Sequence, residues 1–157
     1  MECFAKDSLY GLFAELGRLH FSRSHSFLEK TGVYPGQPPL LFALYKENGQ
    51  SQKDLANKMR IKPATMTVMI KRMEKTNFIE RSQDENDQRI SRINITEKGI
   101  KVCEHLIVIS KEIEKECFQN FTQDEKMLLR RLLMQMRDNL VIGYDKVKEN
   151  QEMEDNK

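Results

Sequence analysis

All four prolines of this 157-residue chain, Pro35, Pro38, Pro39 and Pro63, fall before residue 64. Beyond that point only Gly99 and Gly143 loosen the backbone, so long uninterrupted helices are expected in the C-terminal half. Before the first proline, Leu9, Leu12, Phe13, Leu16 and Leu19 recur at helical spacing. With Asp7 or Ser8 as N-cap and Gly32 as terminator, they predict an amphipathic helix of about 24 residues, some 35 Å long. The stretch VYPGQPP breaks it, and Pro38 and Pro39 open a short apolar helix, LLFALYKEN, that Asn48-Gly49 closes.

The segment SQKDLANKM follows, with Ser51 and Asp54 in a capping arrangement ahead of Leu55, Ala56 and Met59. Pro63 sits at the first position of the next helix, PATMTVMIKRMEKT, and the tight connection MRIK makes the pair a helix-turn-helix. Phe78 to Ser82 and Ile90 to Ile95 are short β-type runs around the polar turn QDENDQ, which reads as a wing. From Thr96 the pattern is helical again, and Thr122 with Glu125 is a second capping box, for a helix bearing Leu128, Leu129, Leu132, Leu133, Met136, Leu140 and Val147. That apolar surface is too wide for one small chain to cover, so a second copy is expected. The polar tail NQEMEDNK is expected to fray.

Net charge is +2, from 26 Lys and Arg against 24 Asp and Glu, and announces no nucleic-acid binder by itself. Its distribution does. Lys58 to Met73 holds Lys58, Arg60, Lys62, Lys71 and Arg72 and no acid. At about 100° per residue, Met66, Met69, Ile70 and Met73 turn to the core, leaving Ala64, Thr67, Val68 and Lys71 opposite and Thr65 and Arg72 on the flanks. Methyl, hydroxyl and basic groups on an outward helix face suit base edges and phosphates. Arg81, Arg89 and Arg92 lie on or beside the hairpin, and Asp87, two residues from Arg89, is placed to hold its guanidinium toward a narrow minor groove. Ser51 offers a hydroxyl at a helix N-terminus for a phosphate.

The pattern excludes other classes. The longest charge-free stretch, Thr31 to Tyr45, is broken by prolines and glycines and cannot span a bilayer, and MECFAKDSLY lacks a signal-peptide core, so a cytoplasmic protein is expected. No G-x-S-x-G, glycine-rich phosphate loop or H-E-x-x-H points to an enzyme. Cys3, Cys103 and Cys117 match no zinc or disulfide framework. A helical scaffold protein would share the long helices but has no need of an arginine-bearing wing.

The stretch from Gly49 to Gly99, with K-P-A-T, K-R-M-E-K, I-E-R, D-x-R and I-T-E-K-G in that order, resembles the winged helix-turn-helix of the MarR family of bacterial transcriptional regulators. The flanking helices are similarly arranged. The resemblance implies a mainly α fold with a small β-hairpin wing, in a triangular homodimer that binds double-stranded DNA. Residues 1–32 and 97–157 would form the dimerisation region and 33–96 the DNA-binding lobe. Ser51, Gln52, Lys62, Ala64, Thr65, Thr67, Lys71 and Arg72 would meet the major groove and its phosphates, with Arg89 in the minor groove steadied by Asp87, and Arg92 beside it on the wing. Half-sites of a pseudo-palindrome would lie about one helical turn apart. Such a regulator usually represses until an effector releases it.

Three sensing devices are open. Phe13, Gly17, Phe42 and Tyr45 lie on helices that the family packs together, where an aromatic pocket would take a small phenolic or lipophilic molecule. Cys3, with Lys6 nearby, is the candidate thiol of a redox-responsive regulator of the same fold. His20, His25 and His105 with Cys103 and Glu104 are weaker as metal ligands, because His20 and His25 do not share a helix face. No metal or cofactor is expected.

Overall fold

The computed structural model describes residues 7–29, 31–84 and 87–155. Nine elements follow in order: α1 (Leu9–Leu28), α2 (Pro38–Lys46), β1 (Gln50–Ser51), α3 (Gln52–Met59), α4 (Pro63–Lys75), β2 (Ile79–Gln83), β3 (Ser91–Ile95), α5 (Glu97–Cys117) and α6 (Gln123–Asp155). The chain divides into two compact units, 1–113 and 114–157. Among the described residues no helix is long and apolar enough to cross a membrane.

Local chemistry sets the boundaries. Ser8 caps α1, its Oγ accepting from the Gly11 N–H at 3.0 Å. The helix stops at Leu28, short of Gly32, because both the backbone N–H and the hydroxyl of Thr31 take the Leu28 carbonyl, at 2.8 and 2.7 Å. Twenty residues therefore replace the expected 24 or so. Pro38 and Pro39 open α2, where a missing N–H costs nothing. Lys62, held extended by the proline after it, precedes α4, and Arg60 makes the α3–α4 turn in the left-handed region at φ 51°. Both capping pairs form, the one at Thr122 and Glu125 as a full reciprocal box. Ser51 Oγ accepts from the Asp54 N–H at 3.1 Å, and Glu125 accepts from the N–H and hydroxyl of Thr122, which hold its carboxyl below the usual range. Helix α6 continues to Asp155, so the tail expected to fray is helical as far as that residue.

The wing is a three-stranded antiparallel sheet in the order β1-β3-β2, with Gln50 opposite Ile93 and Arg81 also opposite Ile93 across the other edge. The two long strands were expected within a residue of their ends. The third, β1, is too short to show a period and forms because Gln50 is anchored by its side chain. Gln50 is buried, and its Nε2 donates to the carbonyls of Ala43 at 3.0 Å and Glu47 at 2.6 Å, completing the C-terminal end of α2.

The core of the first unit draws on every helix from α2 to α5. Leu40, Leu41, Leu44, Leu55, Met66, Ile70, Met73, Phe78, Ile93 and Cys103 are fully enclosed, and Leu28, Val33, Leu106, Ile109 and Ile113 are buried with them. By contrast the apolar faces of α1 and α6 lie open: Leu9, Leu16, Phe21, Leu128, Leu140 and Val147 are all more than half exposed. The second unit also has a cleft of about 460 Å³ between the end of α5 and α6, floored by Phe118, Leu129, Leu133 and Met134.

Candidate nucleic-acid interface

The core fixes which way α4 faces. Met66, Ile70 and Met73 are fully buried and Met69 partly, as the 100° periodicity requires. Lys62, Ala64, Thr65, Val68, Lys71 and Arg72 are consequently exposed, with Thr67 half-buried at the edge toward α3. Lys62, Lys71 and Arg72 have no ion pair among the described residues, so their charges are available to an anionic partner. Lys58 is not. Its Nζ lies 2.6 Å from Glu47 Oε2 and 2.5 Å from Gln50 Oε1, so one of the five positive charges counted along this segment belongs to the fold.

Several side chains expected at the groove are already hydrogen-bonded within the lobe. The Ser51 hydroxyl donates to Asp54 Oδ2 at 2.7 Å while capping α3. Gln52 Nε2 donates to Thr67 Oγ1 at 2.7 Å, and that hydroxyl in turn donates to the Pro63 carbonyl at 2.9 Å. What Thr67 retains for a ligand is chiefly its methyl group. Gln52 Oε1 accepts from Arg81 Nη2 at 3.4 Å, and Arg81 Nε donates to Glu74 Oε1 at 3.0 Å.

The hairpin is organised by Asp84. Its Oδ1 accepts from the Asp87 N–H at 3.0 Å, and its Oδ2 accepts from Arg92 Nε at 2.5 Å. Arg92 also reaches the Gly49 carbonyl at 3.4 Å. Arg92, grouped by the sequence with the DNA contacts, thus has its guanidinium directed into the sheet. Asp87 acts at a different atom from the one expected. Its carboxylate accepts from the backbone N–H of Arg89 at 3.0 Å, and its carbonyl accepts from the Ile90 N–H at 2.9 Å. Asp87 shapes the turn that carries Arg89 and does not grip the guanidinium, while Arg89 itself is exposed. The acids of the tip, which a charge count sets against phosphate, are in part the joints of the hairpin. Glu85 and Asn86 lie outside the described residues.

The expected effector residues are not gathered into an enclosed cavity by a single chain. Phe42 packs against the core, Tyr45 and Phe13 are exposed, and a Cβ on Gly17 would meet no atom within 4 Å. None of them lines the cleft of the second unit. Cys3 and Lys6 lie outside the described residues. Cys103 is fully buried, and burial, with Glu104 adding to it, pushes its thiol up to about 11, the opposite of an activated sulfur. Among the described residues no cluster of His, Cys, Asp and Glu is arranged to hold a metal ion.

Sequence reasoning did not assign roles to Glu74 and Arg81 in this network, nor to Asp84 in the wing. Arg81 meets Gln52 across 29 positions, a distance at which no periodicity operates.

A family profile described as the MarR family matches residues 34–91. Among the proteins similar in sequence are two of Bacillus subtilis (strain 168). The HTH-type transcriptional repressor MdtR is 31% identical over 101 residues, 64% of each chain. The uncharacterized HTH-type transcriptional regulator YybA is 30% identical over 113 residues, 72% of this chain and 75% of that one. Among solved structures, the transcriptional regulator SlyA superposes with a TM-score of 0.79 at 26% identity, covering 87% of this chain and 98% of the other.

Proposed function

The chain belongs to the MarR family of transcriptional regulators, and from that premise we propose that it binds double-stranded DNA as a homodimer, reading a pseudo-palindromic operator in the cytoplasm. The observation that carries this reading is the outward face of α4. Its opposite face is locked into the core, so Ala64, Thr65, Val68, Lys71 and Arg72 are presented together, with the Thr67 methyl at their edge and Lys62 at the helix start. Thr and Ala methyls suit thymine methyl groups, lysine suits guanine acceptors, and Lys62 and Arg72 suit phosphates. Arg89 at the wing tip suits the minor groove. Ser51 and Gln52 support that face, Asp87 shapes the tip, and Arg92 staples the wing.

The dimer is supported by the open apolar faces of α1 and α6, each too large for a stable exposed surface. On this reading residues 1–32 and 97–157 form the dimerisation region and 33–96 the DNA-binding lobe, although the core of the lobe draws on α5 as well. MdtR is a repressor by name, and the same action is proposed here. A small phenolic or lipophilic effector beside Phe13, Gly17, Phe42 and Tyr45 would need the second copy to close its site, because two of these side chains are exposed in one chain.

Selection of bound duplexes from random DNA tests the reading. A pseudo-palindromic consensus is expected, and Lys71→Ala should lose roughly 1–3 kcal/mol on it while changing the preferred base at one position of each half-site. Uniform loss on every duplex would reduce Lys71 to a phosphate contact, and no enriched sequence would overturn the proposal. A sedimentation mass near one chain at micromolar concentration would overturn the dimer.

A further inference from the structure

Gln52 is the first residue of α3, yet its two amide atoms reach two other elements. Nε2 donates to Thr67 on α4 at 2.7 Å, and Oε1 accepts from Arg81 on β2 at 3.4 Å. The orientation of the amide is forced. Thr67 spends its only proton on the Pro63 carbonyl, so it can only accept from Gln52, and the guanidinium of Arg81 can only donate. Turning the amide over would set its oxygen against the Thr67 oxygen and its N–H groups against a cation. Arg81 is held a second time by Glu74 in the last turn of α4, at 3.0 Å, with both side chains about one-third exposed. The chain Pro63, Thr67, Gln52, Arg81, Glu74 therefore starts at the first turn of α4, crosses α3 and the root of the wing, and returns to the last turn of α4.

We propose that Gln52 is a positioning residue that locks α4 and the root of the wing in one mutual orientation, and so sets how sharply the protein discriminates its operator from other DNA. The proposal rests on α4 and the wing being the DNA-reading surfaces. Phosphates lie along every duplex, so a loosened pair of reading elements still finds them. Base edges demand that α4 and Arg89 arrive in register, so looseness is felt on the operator. Hydrogen-bonded chains of this kind act as units, and removing one link undoes the others.

Charge-conserving variants test it. Gln52→Ala, Thr67→Val and Arg81→Lys each alter one member of the chain without altering net charge, and none of the three belongs to the buried core: Arg81 is exposed, Gln52 and Thr67 half-buried. Binding is measured on the selected operator duplex and on a scrambled duplex of equal length, with thermal unfolding of each free protein. Each variant is expected to lose about tenfold on the operator and less than about twofold on scrambled DNA, and Gln52→Ala/Thr67→Val together to lose about tenfold, not the hundredfold of independent contacts. Unchanged melting with a reduced operator-to-scrambled ratio marks positioning, which a purely structural role would not produce. A multiplicative double variant, equal loss on both duplexes, or variants that bind like the wild type would overturn the proposal while leaving the DNA reading intact. A wild-type protein that does not discriminate the two duplexes would overturn both.

Discussion

Gly99 lies so close beneath Phe78 that a Cβ built on it would stand 2.1 Å from the Phe78 carbonyl oxygen and 2.7 Å from Ile95 Cγ1. That carbonyl cannot withdraw cheaply. It accepts from the Thr96 N–H at 3.1 Å, and the Phe78 N–H is tied to the Met73 carbonyl at 3.0 Å. The contact seats the first turn of α5 on the root of the wing. Gly99→Ala is expected to destabilise the protein by about 3 kcal/mol, as overpacking of a rigid site does, read as a lower urea midpoint at unchanged slope. A midpoint within experimental scatter of the wild type would show that the turn relaxes.

Asp84 and Arg92 should behave as one unit. Loss of either the carboxylate or the guanidinium removes the same ion pair, so Asp84→Ala and Arg92→Ala are each expected to cost about 1 kcal/mol and the double variant little more. Thermal unfolding of the three proteins checks this, with additive losses counting against it. Both single variants should also weaken operator binding, through disorder of the turn that presents Arg89.

Gln50 is a buried amide serving two carbonyls and one ammonium group. Gln50→Leu keeps the volume and removes every hydrogen bond of the amide, leaving the Glu47 carbonyl without that donor and the Ala43 carbonyl with the Glu47 N–H alone. The expected loss is roughly 1–3 kcal/mol in chemical denaturation, and Lys58→Met, at the exposed end of the same cluster, should cost clearly less.

Cys103 should be inert in the folded protein. With its thiol held near 11 by burial, it is expected to escape alkylation at pH 8 until the protein is denatured. The sign of the linked pH dependence follows. The native state keeps a proton that the unfolded chain releases near the ordinary value of 9.0, so this residue's contribution is flat below pH 9 and falls as pH climbs toward 11. Denaturation of wild type and Cys103→Ala across that window would show it as a steeper decline in the wild type. Rapid alkylation of native Cys103 would contradict the burial.

What could be read from the sequence was local. Ser51 with Asp54, Thr122 with Glu125, Pro63 at a helix start and the buried methionine stripe of α4 all act within one or two turns, where spacing determines geometry. The fold class and the outward face of α4 follow from such pairs. The joints between elements do not. Lys58 counted as a free cation because Glu47 precedes it by eleven positions, and the tie between Asp84 and Arg92 runs across the hairpin, where no helical spacing reveals it. The strand β1 has two residues and no pattern of its own, and its place depends on a glutamine side chain bound to the end of α2. The apolar faces of α1 and α6 were legible as surface in need of cover, since that requires only a period.

The central claim, that the outward face of α4 and the tip of the wing read DNA from a two-fold dimer, is tested most directly by hydroxyl-radical footprinting of the selected duplex. The account predicts two protected half-sites related by a dyad, with centres about 34 Å apart along the duplex, and loss of the outer minor-groove protection alone in Arg89→Ala. A single protected patch without a dyad, or protection unchanged when both Lys71 and Arg89 are replaced by alanine, would contradict it.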